Sequence, residues 1–234
     1  MRFRRTSLIL GFVLAQIVTG WAKEENTSKE NRWEKTIQEF EKWDAKNAWP
    51  KKLVLFAGSS SIRMWPTREC FPELPLINRG FGGSQISDVN DFLERIVIKY
   101  KPKLIVFYCG DNDINAGKSP QQVFDDYCQF VSRVHSDLPK TKIIYISIKP
   151  SGARWKLWPK MKQANEMIRM FSEKNERLYY ADGAACLLTE KGVPDDDLFL
   201  KDRLHLNEKG YARWKTVLLP ILQEALKKKD KQGN

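Results

Sequence analysis

From residue 53 onward, short, largely apolar runs alternate with longer stretches in which apolar residues recur every three or four positions. The runs at 53–57, 75–79, 103–108, 143–148 and 178–181 show no in–out alternation, the pattern of strands covered on both faces. The stretches 86–99, 120–137, 158–175 and 208–227 carry the period of amphipathic helices. Ser119 followed by Pro120, with Gln122 three places on, reads as a helix start: a capping side chain, a proline in the first turn and a reciprocal capping partner. A further helix is expected over 31–47, where Trp33, Ile37, Phe40 and Trp43 share one face, and core packing is the expected role of its tryptophans. Strands alternating with helices predict a doubly wound α/β domain around a parallel sheet. The expected organisation is a leader over 1–22, a polar segment and packing helix over 23–49, the main domain over 50–227 and a basic tail over 228–234.

The 234 residues suit one domain, and 42% hydrophobic content supplies a core. The formal net charge is +11. The basic residues are scattered; the one dense run, Lys227-Lys228-Lys229, ends a helix, where cations suit the dipole. No recognition motif accompanies the charge, so nucleic acid is not an expected partner. At the N-terminus, Arg2, Arg4 and Arg5 precede an apolar stretch at 8–18 that is too short to span a membrane. Gly20 and Ala22 are the small residues that a signal peptidase reads, so cleavage is expected between Ala22 and Lys23. That predicts a secreted or periplasmic chain of net charge +8 with no membrane span after cleavage; an uncleaved anchor is the alternative. The four cysteines, Cys70, Cys109, Cys128 and Cys186, fit no CxxC metal motif, and their pairing is open. Cys109, in a strand, and Cys128, on a helix, are expected to act as small buried hydrophobes.

Candidate chemistry sits where the apolar runs end. The first strand runs into Gly58-Ser59-Ser60-Ser61, the second into Asn78-Arg79-Gly80-Phe81-Gly82-Gly83, and the third into Gly110-Asp111-Asn112-Asp113. A parallel sheet brings these strand ends to one edge, where ligands bind. Asp202 and His205 lie three residues apart near the C-terminus, and together these groups make the parts of a serine hydrolase. Each has a plainer reading. The serines can cap the next helix, Gly80, Gly82 and Gly83 can make a positive-φ turn, and Asn112 and Asp113 form turns well. The G-x-S-x-G elbow is absent, because Ile62 stands where its second glycine belongs. A dinucleotide fingerprint is absent too, with Gln85 in place of the third glycine. Of the two histidines, His135 falls on an amphipathic helix and is expected at the surface or satisfied. One histidine beside one carboxylate is a thin ligand set, so no metal is expected.

The four blocks, in this order, resemble those of the SGNH hydrolases, the GDSL-type esterases and lipases, over roughly residues 50 to 222. The segments "GSSSI", "INRGFGGS", "GDNDINAGKSP" and "DRLHLNEKGY" look most like a bacterial subgroup of that family. The resemblance implies a flavodoxin-like three-layer sandwich with a five-stranded parallel sheet. The family's Gly-Asp-Ser aligns on Gly58, Ser59 and Ser60, with Ser59 replacing the aspartate. It implies Ser60 as nucleophile, His205 as base and Asp202 as the carboxylate that orients it. The N–H groups of Ser60 and Gly83 and the Asn112 side-chain amide are the implied oxyanion hole. Asp111 stands where the family has a small residue, and Asp113 is read as structural support. No cofactor is implied. The expected activity is hydrolysis of a carboxylic ester with a short acyl group such as acetyl, borne by a carbohydrate or lipid. A non-catalytic carbohydrate- or partner-binding module on the same fold is the alternative, against which the complete set of catalytic residue types argues. Trp65, Arg154, Trp155, Lys156 and Trp158 are expected in loops, where lining a substrate cleft and simple packing are both open, and none is assigned a role.

Overall fold

The computed structural model describes residues 32–227, so the leader expected at 1–22 and the tail expected at 228–234 lie outside the described residues. Helix α1 (Glu34–Lys46) leads into strand β1 (Val54–Gly58), the single-turn helices α2 (Ser60–Arg63) and α3 (Thr67–Cys70), and strand β2 (Leu76–Gly80). Helices α4 (Ile86–Asp91) and α5 (Leu93–Ile96) precede β3 (Leu104–Tyr108), then α6 (Asp111–Asn115), α7 (Pro120–Asp137) and β4 (Lys142–Ile146). Helix α8 (Trp158–Ser172), β5 (Leu178–Ala181) and α9 (Glu208–Lys227) complete the chain. The five strands form one all-parallel sheet in the order β2-β1-β3-β4-β5, the flavodoxin-like arrangement.

Both faces of the sheet are covered, which is why its strands read as continuous apolar runs. Leu55, Ala57, Ile105, Phe107, Ile143 and Tyr145 face a core shared with α1, α4, α5, α7 and α8. Val54, Phe56, Leu104, Val106, Ile144 and Ile146 alternate onto the other face, against α2, α3 and α9. Helix α7 begins on the expected capping box, Ser119 Oγ accepting the Gln122 N–H and the Gln122 side chain accepting the Ser119 N–H.

Three expectations need correction. The periodic stretch 86–99 is not one helix: α4 ends at Phe92, whose backbone leaves helical geometry, and α5 and a 3₁₀ turn at Ile98–Tyr100 follow. The break places Phe92 edge-on to Phe81, with ring centroids 6.3 Å apart, while Ile86, Val89, Leu93 and Ile96 all stay buried. Apolar spacing reports the buried face, not the continuity of the hydrogen bonds. Helix α8 stops at Ser172, whose hydroxyl bonds back to the Ile168 carbonyl at 2.8 Å. On α1, Ile37 is buried but Trp43 is 40% exposed, its ring resting on the Arg79 guanidinium 4.9 Å away. Of the two roles left open for Trp65, packing is the one observed: it is buried in the α9 layer, stacked on Tyr211. All four cysteines are free thiols; Cys109 is buried and Cys128 half-buried. No described helix is long and apolar enough to cross a membrane.

Candidate active site

In this strand order the chain leaves β1 toward β2 on one side and reaches β3 on the other, so a crevice opens beyond the ends of β1 and β3. Ser60 stands there because of Gly58. That glycine has φ +133°, and a Cβ on it would lie 1.9 Å from the Tyr108 carbonyl oxygen, so no other residue lets β1 and β3 end this close together. The turn that follows sends Ser59 and Ser61 inward and leaves Ser60 half-buried at the crevice. Neither inward serine caps α2, as the plainer reading allowed; both hydroxyls are buried without a hydrogen-bond partner among the described residues.

His205 arrives from the loop before α9. Its Nε2 lies 3.0 Å from Ser60 Oγ, and its Nδ1 lies 2.6 Å from Asp202 Oδ2. The other carboxylate oxygen of Asp202 accepts the backbone N–H groups of Leu204 at 2.9 Å and His205 at 3.0 Å. Burial pushes the Asp202 carboxyl up, but the hydrogen bonds from the His205 ring and these two amides prevail and hold it at about 2. An imidazole donating from Nδ1 to this carboxylate keeps Nε2 as the acceptor for the serine proton. The loop is tied down on both sides: Arg203 O accepts the Ala153 N–H at 3.0 Å, and Tyr211 on α9 donates to Ser61 O at 2.9 Å.

In the turn after β2, Gly83 has φ +73°, and a Cβ on it would stand 3.2 Å from Trp33 Cη2. Gly80 and Gly82 do not share that conformation, so the turn needs a positive φ at Gly83 alone of the three. Asn112, in the first turn of α6, donates from Nδ2 to Ser84 O at 2.9 Å, and its Oδ1 accepts from Arg154 at 3.0 Å. One Nδ2 proton is left over. The N–H groups of Ser60 and Gly83 likewise donate to no other described group. Buried Asp113 joins the two loops, accepting the Ile86 N–H at 3.0 Å and Lys118 Nζ at 3.0 Å. Burial raises its carboxyl above the usual range against the pull of Lys118.

The structure thus brings Ser60, His205 and Asp202 into one hydrogen-bonded chain, while Asn112 bonds to Ser84, the residue after Gly83. His135 lies elsewhere, near the C-terminal end of α7, with Nε2 3.0 Å from Thr141 O. Two features escaped the reading of the sequence. Arg32 donates to Gly83 O at 3.2 Å and lies over the Trp33 ring, so the start of α1 braces the Gly83 turn. Asp111 is buried and pairs with Lys149 and Arg154. The one available signal for the second was an aspartate where a small residue was expected. An open groove of about 740 Å³ between α7 and α8, bordered by Ser119, Gln121, Lys162 and Met167, includes none of the residues of this site. Among the described residues, no group of histidine, cysteine and carboxylate side chains is placed to hold a metal ion.

Comparison with known proteins adds independent evidence. The GDSL-like lipase/acylhydrolase family model matches residues 57–213. No curated protein matches the sequence. Among solved structures, a GDSL-like lipase from Bacteroides thetaiotaomicron is similar at a TM-score of 0.72 and 19% identity, over 81% of this chain and 98% of that one. A carbohydrate esterase family 3 protein from Talaromyces cellulolyticus is similar at 0.61 and 19% identity, over 75% and 99%. A variant of an acetyl xylan esterase from Geobacillus stearothermophilus is similar at 0.58 and 18% identity, over 74% and 94%. At these identities the structural likeness speaks for the fold.

Proposed function

Since the chain belongs to the GDSL-like lipase/acylhydrolase family and is an ester hydrolase, we propose that it is an exported serine esterase that works through Ser60, His205 and Asp202 on short acyl esters. The observation that carries this reading is the continuous chain from Ser60 Oγ through His205 to Asp202, at 3.0 and 2.6 Å. Ser60 Oγ attacks the acyl carbon while its proton passes to His205 Nε2. The imidazolium that forms is stabilised by Asp202, which stays a carboxylate. The negative charge on the acyl oxygen meets the N–H groups of Ser60 and Gly83 and the spare Nδ2 proton of Asn112. His205 returns the proton to the leaving alkoxide, and the same base then activates the water that resolves the acyl-enzyme.

An acetyl ester on a carbohydrate is the substrate class this reading favours. Its support is the fold shared with a carbohydrate esterase and an acetyl xylan esterase, together with the export leader read at 1–22. With p-nitrophenyl esters from acetyl to decanoyl, kcat/KM should fall as the acyl chain lengthens; a maximum at decanoyl rejects the short-acyl reading. Failure to turn over any ester would instead favour the non-catalytic carbohydrate- or partner-binding module. Export is checked by N-terminal sequencing of protein from the source cell: a mature chain beginning at Lys23 supports it, and one beginning at Met1 in the cytoplasm defeats it.

A further inference from the structure

Asp111, Lys149 and Arg154 form a charge cluster behind the oxyanion side of the crevice. Their side chains are 7%, 1% and 14% exposed, and both cations converge on Asp111 Oδ2, at 3.3 Å from Lys149 and 3.1 Å from Arg154. Burial raises the Asp111 carboxyl, but the two cations prevail and hold it below its usual range. Burial of three ionisable groups is costly, and replacing such a cluster by apolar residues is often neutral or stabilising. Stability is therefore a weak reason for its presence.

The cluster touches the site through one group, the Asn112 amide. The Arg154 nitrogen that pairs with Asp111, Nη1, also donates to Asn112 Oδ1 at 3.0 Å. The two ends of an asparagine amide are nearly identical in shape, and only their hydrogen-bond partners tell them apart. Here the Nδ2 end meets the Ser84 carbonyl and the Oδ1 end meets the guanidinium. A flipped amide would set oxygen against oxygen at Ser84 and N–H against N–H at Arg154.

We infer that Arg154 is a positioning residue: it locks Asn112 with its free Nδ2 proton toward the acyl oxygen, and Asp111, itself paired with Lys149, holds the guanidinium in place. A charged donor on Oδ1 also polarises the amide, which strengthens the hydrogen bond its N–H gives. The inference rests on Asn112 serving as an oxyanion donor, and a double-mutant cycle separates the two claims. Asn112→Ala should lower kcat by about 10²–10³. Arg154→Met should lower kcat by roughly 10- to 100-fold, the scale of a slightly misplaced catalytic group, with KM nearly unchanged. The double variant should be no slower than Asn112→Ala alone, because Arg154 then has nothing left to position. Arg154→Lys keeps a cation on Asp111 and so keeps the fold if Arg154→Met does not, and it should lose kcat in the same non-additive way. Wild-type kcat in a folded Arg154 variant, or losses that multiply in the double variant, would overturn the inference. An unchanged Asn112→Ala would overturn the oxyanion role instead.

Discussion

The buried ion pair between Lys149 and Asp111 makes a stability prediction that can be worked from the structure. Asp111→Asn keeps the shape of the side chain but leaves Lys149, 1% exposed, without its carboxylate. Breaking a buried pair in this way costs about 3–5 kcal/mol. The part of the loss carried by Lys149 has a ceiling, because the amine can give up its proton instead; Arg154, which shares the carboxylate, stays charged and adds a part that does not change with pH. Neutralising a lysine whose unfolded pKa is ~10.4 costs ~4.6 kcal/mol at pH 7, at ~1.36 kcal/mol per unit. The same ceiling falls to ~1.9 kcal/mol at pH 9. The sign follows from proton linkage. Burial already pulls the Lys149 amine below its ordinary value, Asp111 opposing it, and removing Asp111 lowers it further. A buried amine of lowered pKa carries its full penalty below the folded pKa and none above the unfolded one. Between the two, the unfolded chain binds the extra proton, so the variant gains stability as pH rises. Urea unfolding followed by far-ultraviolet circular dichroism, at pH 7 and pH 9 and matched ionic strength, measures the gap. The expected gap is about 3–5 kcal/mol at pH 7, narrowing by up to ~2.7 kcal/mol at pH 9 as the Lys149 part falls. A gap below ~1 kcal/mol at pH 7, the range of a solvent-exposed pair, would refute this account of the cluster. So would a gap equal at both pH values.

Other consequences are open to direct test. Ser59→Ala and Ser61→Ala remove buried hydroxyls that have no partner among the described residues; each should leave turnover near wild type and stability unchanged or higher by up to ~1 kcal/mol, and loss of turnover in either would mean that the serine turn is misread. Gly83→Ala forces an L-residue to φ +73° with its Cβ 3.2 Å from Trp33; at about 1–2 kcal/mol, Tm should fall by roughly 2–8 °C, with kcat reduced as the turn shifts, whereas an unchanged Tm would contradict the strain. Asp202, held at about 2, stays ionised through the working range; the stabilisation from its hydrogen bonds is present above its unfolded pKa and lost only as pH falls toward 2, so protonation of Asp202 should add no step to the acid limb of kcat/KM, and a two-proton limb would contradict it.

The sheet was legible in the sequence because every strand is covered on both faces, so each reads as an apolar run within two residues of its observed limits. The spacing of Asp202 and His205 was legible because the contact is local: one turn of loop carries both groups. What was not legible depends on contacts across long separations or on details of backbone hydrogen bonding. The break at Phe92 serves a ring contact with Phe81, and periodicity does not register it. Trp65 and Trp43 have similar local patterns, yet one is core and the other rests exposed on Arg79. Arg154 reaches Asn112 across 42 residues and Lys149 reaches Asp111 across 38, so neither pairing shows in local spacing. Three serines in a row look alike in sequence; the positive φ of Gly58 turns the middle one outward.

The central claim is that Ser60, activated by His205, is the nucleophile, and the most direct measurement is the site of covalent attack by a fluorophosphonate. Wild-type protein treated with the probe, digested and sequenced by mass spectrometry should carry one adduct, on Ser60. Ser60→Ala should fold and take no adduct, with kcat reduced on the order of 10⁶, and His205→Ala should label far more slowly while His135→Ala labels at the wild-type rate. An adduct on Ser59 or Ser61, or none on the wild-type protein, would contradict the account.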